Sequence, residues 1–154
     1  MGWKQDLASF LFKAKKNSYA SGAEYKQNEY GMREFVYKEG DFVYWDRYTG
    51  ENPFGGQEIV FYKGKPSWLL NYWGMCYDKK LQKTIYAFLR KALFRLPEET
   101  PIRGPEKLQE LVGDTVWTYE IIGKPALERF KLTEIIRINE DIMYEAYIHG
   151  GLVK

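Results

Sequence analysis

An internal repeat constrains the fold of this chain more than any other feature of its sequence. Five residues recur 76 positions later in the same order, and the pairs are Phe54 and Phe130, Glu58 and Glu134, Ile59 and Ile135, Trp68 and Tyr144, and Gly74 and Gly150. Upstream, the Gly-Asp turns that begin at Gly40 and Gly113 precede matching patterns at an offset of 73. Because order and spacing agree together, the pattern predicts a tandem duplication. A chance match between two strand-and-turn patterns is the alternative.

Two segments have the hydrophobic spacing of amphipathic helices. The first runs from about Trp3 to Lys16, and the second from about Lys79 to Leu96. Asp78 is the expected N-cap of the second helix, and Pro97 follows its end. Both segments contain the pattern Phe-Leu-x-Lys-Ala, so the helices fit the repeat as well.

The remaining segments are rich in β-branched and aromatic residues between glycine-containing turns, which is typical of strands. The expected strands are 42–48, 57–62, 67–73, 116–121, 130–138 and 142–148. The segment from Pro97 to Pro105 is expected to be a loop. Pro105 is expected to begin a short helix through Leu108, because proline is favoured in the first turn.

Together these patterns predict an α+β fold in a single domain, 1–154. The fold would be a tandem duplication of an αβββ unit, with pseudo-repeats at about 3–76 and 79–154. The strands would form one antiparallel sheet or two meanders about a pseudo-twofold axis, with the two helices packed on one side. The other face of the sheet, or the seam between the halves, would form a concave surface rich in tyrosine and tryptophan.

Composition excludes several kinds of function. The chain has 154 residues, a formal net charge of +2, one histidine and one cysteine. A structural zinc site needs about four such ligands, so we expect no metal, and we expect no cofactor. The balanced charge argues against nucleic-acid binding. No membrane span is present, and Met1 to Lys16 lacks an apolar stretch of signal-peptide length, so we expect a cytoplasmic protein. Cys76 and His149 are interpreted as ordinary structural residues.

Two repeat-equivalent glutamates, Glu58 and Glu134, are the leading candidates for a binding site. Each lies four residues after a phenylalanine and just before an apolar strand segment. A carboxylate between aromatic walls would attract an organic cation. The expected walls are the side chains of Tyr44, Tyr48, Trp68 and Tyr72. In the structural alternative, each glutamate accepts hydrogen bonds from a neighbouring strand or loop.

Three further residues are candidates for the same site. Asp46 lies among aromatic residues and is the best partner of Glu58 for acid–base chemistry. Asn71 is unusual in a strand and would donate to a ligand carbonyl or bond an adjacent loop. Arg103 lies in a Pro-flanked loop and would clamp a carboxylate or phosphate, or pair with a surface acid.

Several short motifs lie along the chain: Tyr19-Ala20, Asp46-x-Tyr48-x-Gly50, Phe54-x-Gly56-x-Glu58, Lys65-Pro66-x-Trp68, Asn71-Tyr72-x-Gly74, Phe88-Leu89, Arg103-Gly104-Pro105, Phe130-x3-Glu134 and His149-Gly150-Gly151. Together they resemble an uncharacterised bacterial family, a domain of unknown function found alone or behind a helix-turn-helix DNA-binding head. The resemblance covers about Ala8 to Val153 and implies an architecture and an association with regulators, without a reaction. The duplicated architecture is also similar to GyrI-like effector-binding domains, by fold-level analogy.

These observations favour a non-enzymatic small-molecule-binding or sensor module with an aromatic-lined cleft and a carboxylate. Its ligand is expected to be aromatic or apolar, with a cationic group as one option. The first alternative is a protein-interaction or dimerisation module, including a homodimer. The second alternative is a hydrolase that uses Asp46 and Glu58.

Overall fold

A computed structural model of the protein describes residues 2–154. Within that range the chain forms two α-helices, a short 3-10 helix and nine strands, and all strands pair antiparallel in one sheet. The α-helices are α1 (Trp3–Lys16) and α2 (Gln82–Phe94), and the 3-10 helix is Tyr19–Ser21. The strands are β1 (Lys26–Gln27), β2 (Arg33–Glu39), β3 (Phe42–Gly50), β4 (Phe54–Tyr62), β5 (Lys65–Cys76), β6 (Lys107–Val112), β7 (Thr115–Ile122), β8 (Arg129–Ile138) and β9 (Asp141–Leu152).

Both predicted helices are confirmed. The bounds of α1 agree with the prediction, whereas α2 begins three residues later than expected because a turn precedes it. Asp78 accepts a hydrogen bond from the backbone N–H of Lys80 at 2.8 Å, so it stabilises that turn and does not cap the helix. Each helix buries an apolar stripe. The ring of Phe10 stacks on that of Phe42 with ring centres 4.9 Å apart, and the ring centres of Phe88 and Trp117 are 5.6 Å apart.

The sheet contains two long strands that the sequence analysis did not predict. Its order is β1-β2-β3-β4-β5-β9-β8-β7-β6, so each half supplies four long strands and the αβββ unit is one strand too short. The expected helix at Pro105 is wrong, because residues from Lys107 onward form β6. Leu108 and Glu110 are half-buried while their neighbours are exposed, which is a period of two, and the turn at Gly113 joins this segment to β7 as a hairpin.

The register is symmetric about the central pair of strands, β5 and β9. Tyr72 lies opposite Ile148, the residue 76 positions further along the chain. Bulges lie between Val60 and Phe61 in the β4–β5 pair and at the corresponding place, between Ile136 and Arg137, in the β8–β9 pair. The pairing register and the bulge of the β4–β5 hairpin therefore both recur 76 residues later in the β8–β9 hairpin.

The outer hairpins of the two halves differ in register. Glu58 lies opposite Asp46 in the β3–β4 pair, whereas Glu134 lies opposite Ile121 in the β7–β8 pair. The three extra residues in the second connection shift β7 by two positions relative to the repeat. A shift of two keeps each side chain on the same face of the sheet but changes its neighbour. Only the first half therefore places two carboxylates side by side.

Strand alternation gives the sheet two different faces. We call the face that carries Tyr44, Asp46, Glu58 and Tyr72 the inner face; its side chains contribute to the hydrophobic core together with those of the helices. The opposite, outer face carries residues such as Trp73, which is 43% exposed. Neither helix within residues 2–154 is long and apolar enough to cross a membrane. The same part of the chain has no cluster of three or more metal-ligating side chains.

Candidate ligand-binding site

A cavity of about 320 Å³ lies between the helices and the inner face of the first half. Strands β3, β4 and β5 supply its floor, and the end of α1, the 3-10 helix and one side of α2 supply its walls. Its principal lining residues are Lys15, Tyr19, Arg33, Tyr44, Asp46, Tyr48, Glu51, Phe54, Glu58, Tyr72, Tyr86, Arg90 and Arg103. The cavity therefore combines aromatic surfaces with charges of both signs.

Asp46 is held by two tyrosine hydroxyl groups at the floor of the cavity. Tyr72 donates to one carboxyl oxygen at 2.6 Å, and Tyr25 donates to the other at 2.7 Å. Burial, with the neighbouring charge of Glu58, raises the pKa of Asp46 to about 7, although the two hydroxyl groups partly oppose that shift. Asp46 therefore exchanges its proton near neutral pH.

Glu58, directly across from Asp46, is slightly more buried and has fewer hydrogen-bond partners. Its Oε1 atom lies 3.0 Å from Nζ of Lys15, which is an ion-pair distance. The approach does not satisfy hydrogen-bond geometry, and Oε1 has no other hydrogen-bond donor among the described residues. A carboxylate oxygen offers two acceptor positions, so Glu58 retains free acceptor capacity beside the cavity.

Lys15 is a buried lysine with a complete set of contacts. Its ammonium group donates to the carbonyl of Ile102, pairs with Glu58 and lies 5.3 Å from the centre of the Trp68 ring. Burial lowers the pKa of Lys15, while the charge of Glu58 opposes that shift. The lysine links α1 to β4 and to the 97–105 loop. Although Lys15 lies in the lysine-rich last turn of α1, it is only 7% exposed.

Glu134, the repeat equivalent of Glu58, is fully occupied by protein partners. Arg103 binds it through two hydrogen bonds, of 3.0 and 2.7 Å, and Tyr119 and Tyr144 donate to it at 2.5 and 2.9 Å. The side chain of Glu134 is completely buried. Repulsion from its charge adds to burial in raising the pKa of both tyrosines. Glu134 therefore anchors the 97–105 loop to the sheet and has no acceptor oxygen free for a ligand.

Two guanidinium groups face the cavity beside Tyr48. Arg33 lies over the Tyr48 ring at 4.3 Å and donates to the carbonyl of Gly50, while its Nε atom is buried without a hydrogen-bond partner. Arg90 lies over the Tyr19 ring at 4.9 Å. Among residues 2–154, neither arginine has a carboxylate oxygen within 4.0 Å, in contrast to Lys15 and Arg103.

The structure brings six of the nine predicted site residues to this cavity. They are Tyr44, Asp46, Tyr48, Glu58, Tyr72 and Arg103. Of these, Arg103 does clamp a carboxylate bidentately, but the carboxylate belongs to Glu134.

The other three predicted residues do not line the cavity. Trp68 is completely buried and donates to the carbonyl of Leu127 at 3.1 Å, so it packs in the core. Asn71 lies on the outer face, because it neighbours Tyr72 along the strand, and it accepts from Gln57 at 2.7 Å. Glu134 is enclosed by its own partners, as described above. These three residues are absent from the lining of this cavity, and their roles in ligand contact stay predictions.

Sequence reasoning missed several residues that shape the cavity. Lys15 had a detectable signal, because it continues the i, i+4, i+8 series of Leu7 and Leu11 on the buried stripe of α1. No sequence pattern indicated Arg33, because its strand, β2, was not predicted. Arg90 falls on an exposed helix position and reaches the cavity only through the packing of α2 against the 3-10 helix.

A family model matches most of this chain. The model of a domain of unknown function, DUF5680, matches residues 46–153. The chain belongs to the DUF5680 family. The match starts later than the expected resemblance from Ala8, and it includes Asp46, Glu58 and Tyr72. Within this chain, the residues before the DUF5680 match supply Lys15 and Arg33 to the cavity.

No curated protein and no solved structure matches this chain significantly.

Proposed function

We propose that this DUF5680 protein is a non-enzymatic small-molecule-binding module whose ligand occupies the inner-face cavity. The observation that carries the proposal is the state of Glu58: a buried carboxylate with an acceptor oxygen free of hydrogen bonds, at the floor of an aromatic cavity. Lys15 neutralises the charge of Glu58 but leaves part of the acceptor capacity of its carboxylate unused, and a ligand N–H or O–H group would fill it.

The walls of the cavity support an aromatic or apolar ligand body. Tyr19, Tyr48, Phe54 and Tyr86 present rings to the space, and the volume of about 320 Å³ falls in the range of small-molecule sites. Rings of this kind bind planar groups by stacking and edge contacts. Charged side chains lie at the floor and around the rim of this aromatic space, and such groups orient a ligand.

The same contacts favour binding over hydrolysis. Hydrolysis by two carboxyl groups requires one that delivers a proton and one that activates water. Both oxygens of Asp46 already accept tyrosine hydroxyls, and Lys15 holds the charge of Glu58. We therefore rank the hydrolase below the binding module, although the carboxyl groups are neighbours.

A second candidate function rests on the outer face. The rings of Trp73 and Tyr147 stack in parallel, with centres 6.1 Å apart and an angle of 3° between their planes, and they are 43% and 49% exposed. Tryptophan and tyrosine are enriched in protein interfaces. This exposed pair favours an interaction module, for which a second copy of the chain is the simplest partner.

The proposal has a finer form that includes evolution and regulation. The symmetric register about Tyr72 and Ile148, with bulges in corresponding places, supports a tandem duplication with a helix over each half of the inner face. The resemblance to domains that follow helix-turn-helix heads implies a sensor role. In this form, ligand binding by the module would control a DNA-binding regulator.

A thermal-shift screen tests the proposal. Purified protein would be incubated with aromatic cations, neutral aromatics and aromatic acids, and the ligand-induced change in melting temperature would be measured. A ligand at about 100 times its dissociation constant stabilises the fold by about 2.7 kcal/mol, which is a readable shift for a domain of this size.

The variant Glu58→Gln isolates the site, and Glu145→Gln is the matched control. Glu145 is half-buried on the outer face and accepts a hydrogen bond from the Tyr77 hydroxyl at 2.9 Å. We expect saturable hits that weaken in Glu58→Gln and persist in Glu145→Gln. Hits that persist equally in both variants, or none across all three classes, would contradict a ligand in this cavity.

A further inference from the structure

We propose that the ligand of this cavity carries an anionic group, a carboxylate or a phosphate, which binds between Arg33 and Arg90 while its aromatic body lies among the tyrosines. This inference rests on the proposed function and adds the charge and orientation of the ligand. It differs from the cationic group that the sequence analysis gave as one option.

The charges around the cavity separate into compensated and uncompensated groups. Lys15 pairs with Glu58 at 3.0 Å, and Arg103 pairs with Glu134 at 2.7 Å, so each of these buried cations has its own carboxylate. Arg33 and Arg90 line the same space, and no carboxylate among residues 2–154 lies within 4.0 Å of either. Two cations therefore remain for an external anion.

Arg33 provides the more specific of these two contacts. Its guanidinium is fixed by the Tyr48 ring at 4.3 Å and by the carbonyl of Gly50, yet its Nε–H is buried and unpaired. An unpaired donor on a charged group in a fixed position is suited to a carboxylate or phosphate oxygen, since guanidinium groups bind such oxygens with directional, charge-assisted bonds.

Arg90 lines the same cavity from α2, where its guanidinium lies 4.9 Å from the centre of the Tyr19 ring. The charges of Arg33 and Arg90 both lower the pKa of Tyr48, which burial otherwise raises. Arg90 is exposed and Arg33 is partly exposed, whereas Asp46 and Glu58 are buried. The arginines therefore mark the mouth of the cavity, and the carboxyl pair marks its deep end.

The two ends impose an orientation on the ligand. The anionic group would lie at the mouth, against Arg33 and Arg90, and an N–H or O–H donor at the far end of the aromatic body would reach the free acceptor of Glu58. A cationic ligand would meet four lining cations, Lys15, Arg33, Arg90 and Arg103, against three carboxyl groups. One of those three, Asp46, is partly neutralised by its proton near pH 7.

Matched sets of small aromatic compounds test this inference. The first set is 4-hydroxyphenylacetate, 4-hydroxyphenylacetamide and tyramine, which share a phenol and differ in charge at the other end. The second set is indole-3-acetate, indole-3-acetamide and tryptamine, and phenyl phosphate is added as the phosphate probe. Protein-observed NMR titrations to several millimolar suit fragments of this size, for which dissociation constants of about 1 mM are expected.

The substitutions Arg33→Gln and Arg90→Gln remove the two cations, and two matched controls are available. Arg47 lies over the Trp45 ring at 5.1 Å and is absent from the cavity lining, so Arg47→Gln matches the stacked Arg33. Arg95, an exposed residue at the end of α2, matches Arg90. Circular dichroism of each variant would show that the fold is retained.

We expect the anions to bind about tenfold more tightly than the neutral amides, and the amines to bind most weakly. Arg33→Gln and Arg90→Gln should each remove about tenfold from anion affinity and leave amide affinity unchanged, while the two control variants behave as the wild type. Carboxylates that bind without phenyl phosphate would identify the anion as a carboxylate, and the reverse would identify a phosphate.

Two contrary results can be told apart. Amides or amines that bind as tightly as the anions, in a manner that depends on Glu58, would overturn this inference and leave the proposed function standing. Absence of saturable binding by every probe would overturn both.

Discussion

Asp46 and Glu58 face each other across β3 and β4, and their carboxyl groups lie side by side on the inner face of the sheet. Directly opposed side chains on neighbouring strands have Cβ atoms about 5 Å apart. Two like charges at that spacing in a buried site are unfavourable, so Asp46 retains a proton until about neutral pH, and Lys15 compensates Glu58. The corresponding place in the second half pairs Glu134 with Ile121, and the repulsion is absent there.

The protonation of Asp46 predicts a pH dependence of stability. Native Asp46 binds its proton up to about pH 7, whereas an unfolded aspartate releases it near 3.8. Between these values the native state binds more protons than the unfolded state, so the free energy of unfolding falls as the pH rises from about 4 to about 7. Asp46 contributes at most about 4 kcal/mol to that fall.

Urea unfolding of the wild type and of Asp46→Asn at a series of pH values measures this contribution. The difference between their free energies of unfolding should change across that window and become constant above about pH 8. Tyr72→Phe is a useful companion, since it removes one hydroxyl donor and retains the titrating group. A constant difference between wild type and Asp46→Asn from pH 4 to pH 8 would show that Asp46 is ionised throughout.

Lys15 and Glu58 should behave as a coupled buried pair. Lys15→Met leaves a buried carboxylate without its cation, and we expect it to destabilise the protein by about 3 to 5 kcal/mol. The double variant Lys15→Met, Glu58→Gln removes both charges, so it should be more stable than Lys15→Met alone. Chemical denaturation of the four proteins in a double-mutant cycle gives the coupling energy. Additive effects of the two substitutions would mean that the ion pair contributes nothing.

Glu134 should be more important for stability than its repeat equivalent Glu58. Glu134→Gln replaces a carboxylate that receives four hydrogen bonds and leaves Arg103 buried without its counter-charge. We expect a loss of about 3 to 5 kcal/mol, and Glu145→Gln on the outer face should stay within about 0.5 kcal/mol of the wild type. Arg103→Met combined with Glu134→Gln should recover part of the loss. Equal effects of Glu134→Gln and Glu58→Gln would contradict the difference between the two sites.

The sequence allowed the helices and six of the strands to be predicted, because their periodicities are regular. Strand β6 was not predicted, because Pro105 favoured a helix at that place. Strand β2 was not predicted either. Strand parity would have separated Asn71 from Tyr72, because adjacent residues in a strand point to opposite faces. The pairing of Asp46 with Glu58 and of Arg103 with Glu134 depends on register and loop packing, which local patterns do not determine.

The central claim is that a small molecule binds between the helices and the inner face. The most direct measurement is a residue-resolved ¹H–¹⁵N NMR titration with the best compound from the thermal-shift screen. We predict saturable shift changes at cavity residues such as Tyr19, Tyr48 and Glu58, with none at Trp73 or Tyr147. Changes concentrated at Trp73 and Tyr147 on the outer face, with the cavity residues unmoved, would contradict the claim and favour the interaction module.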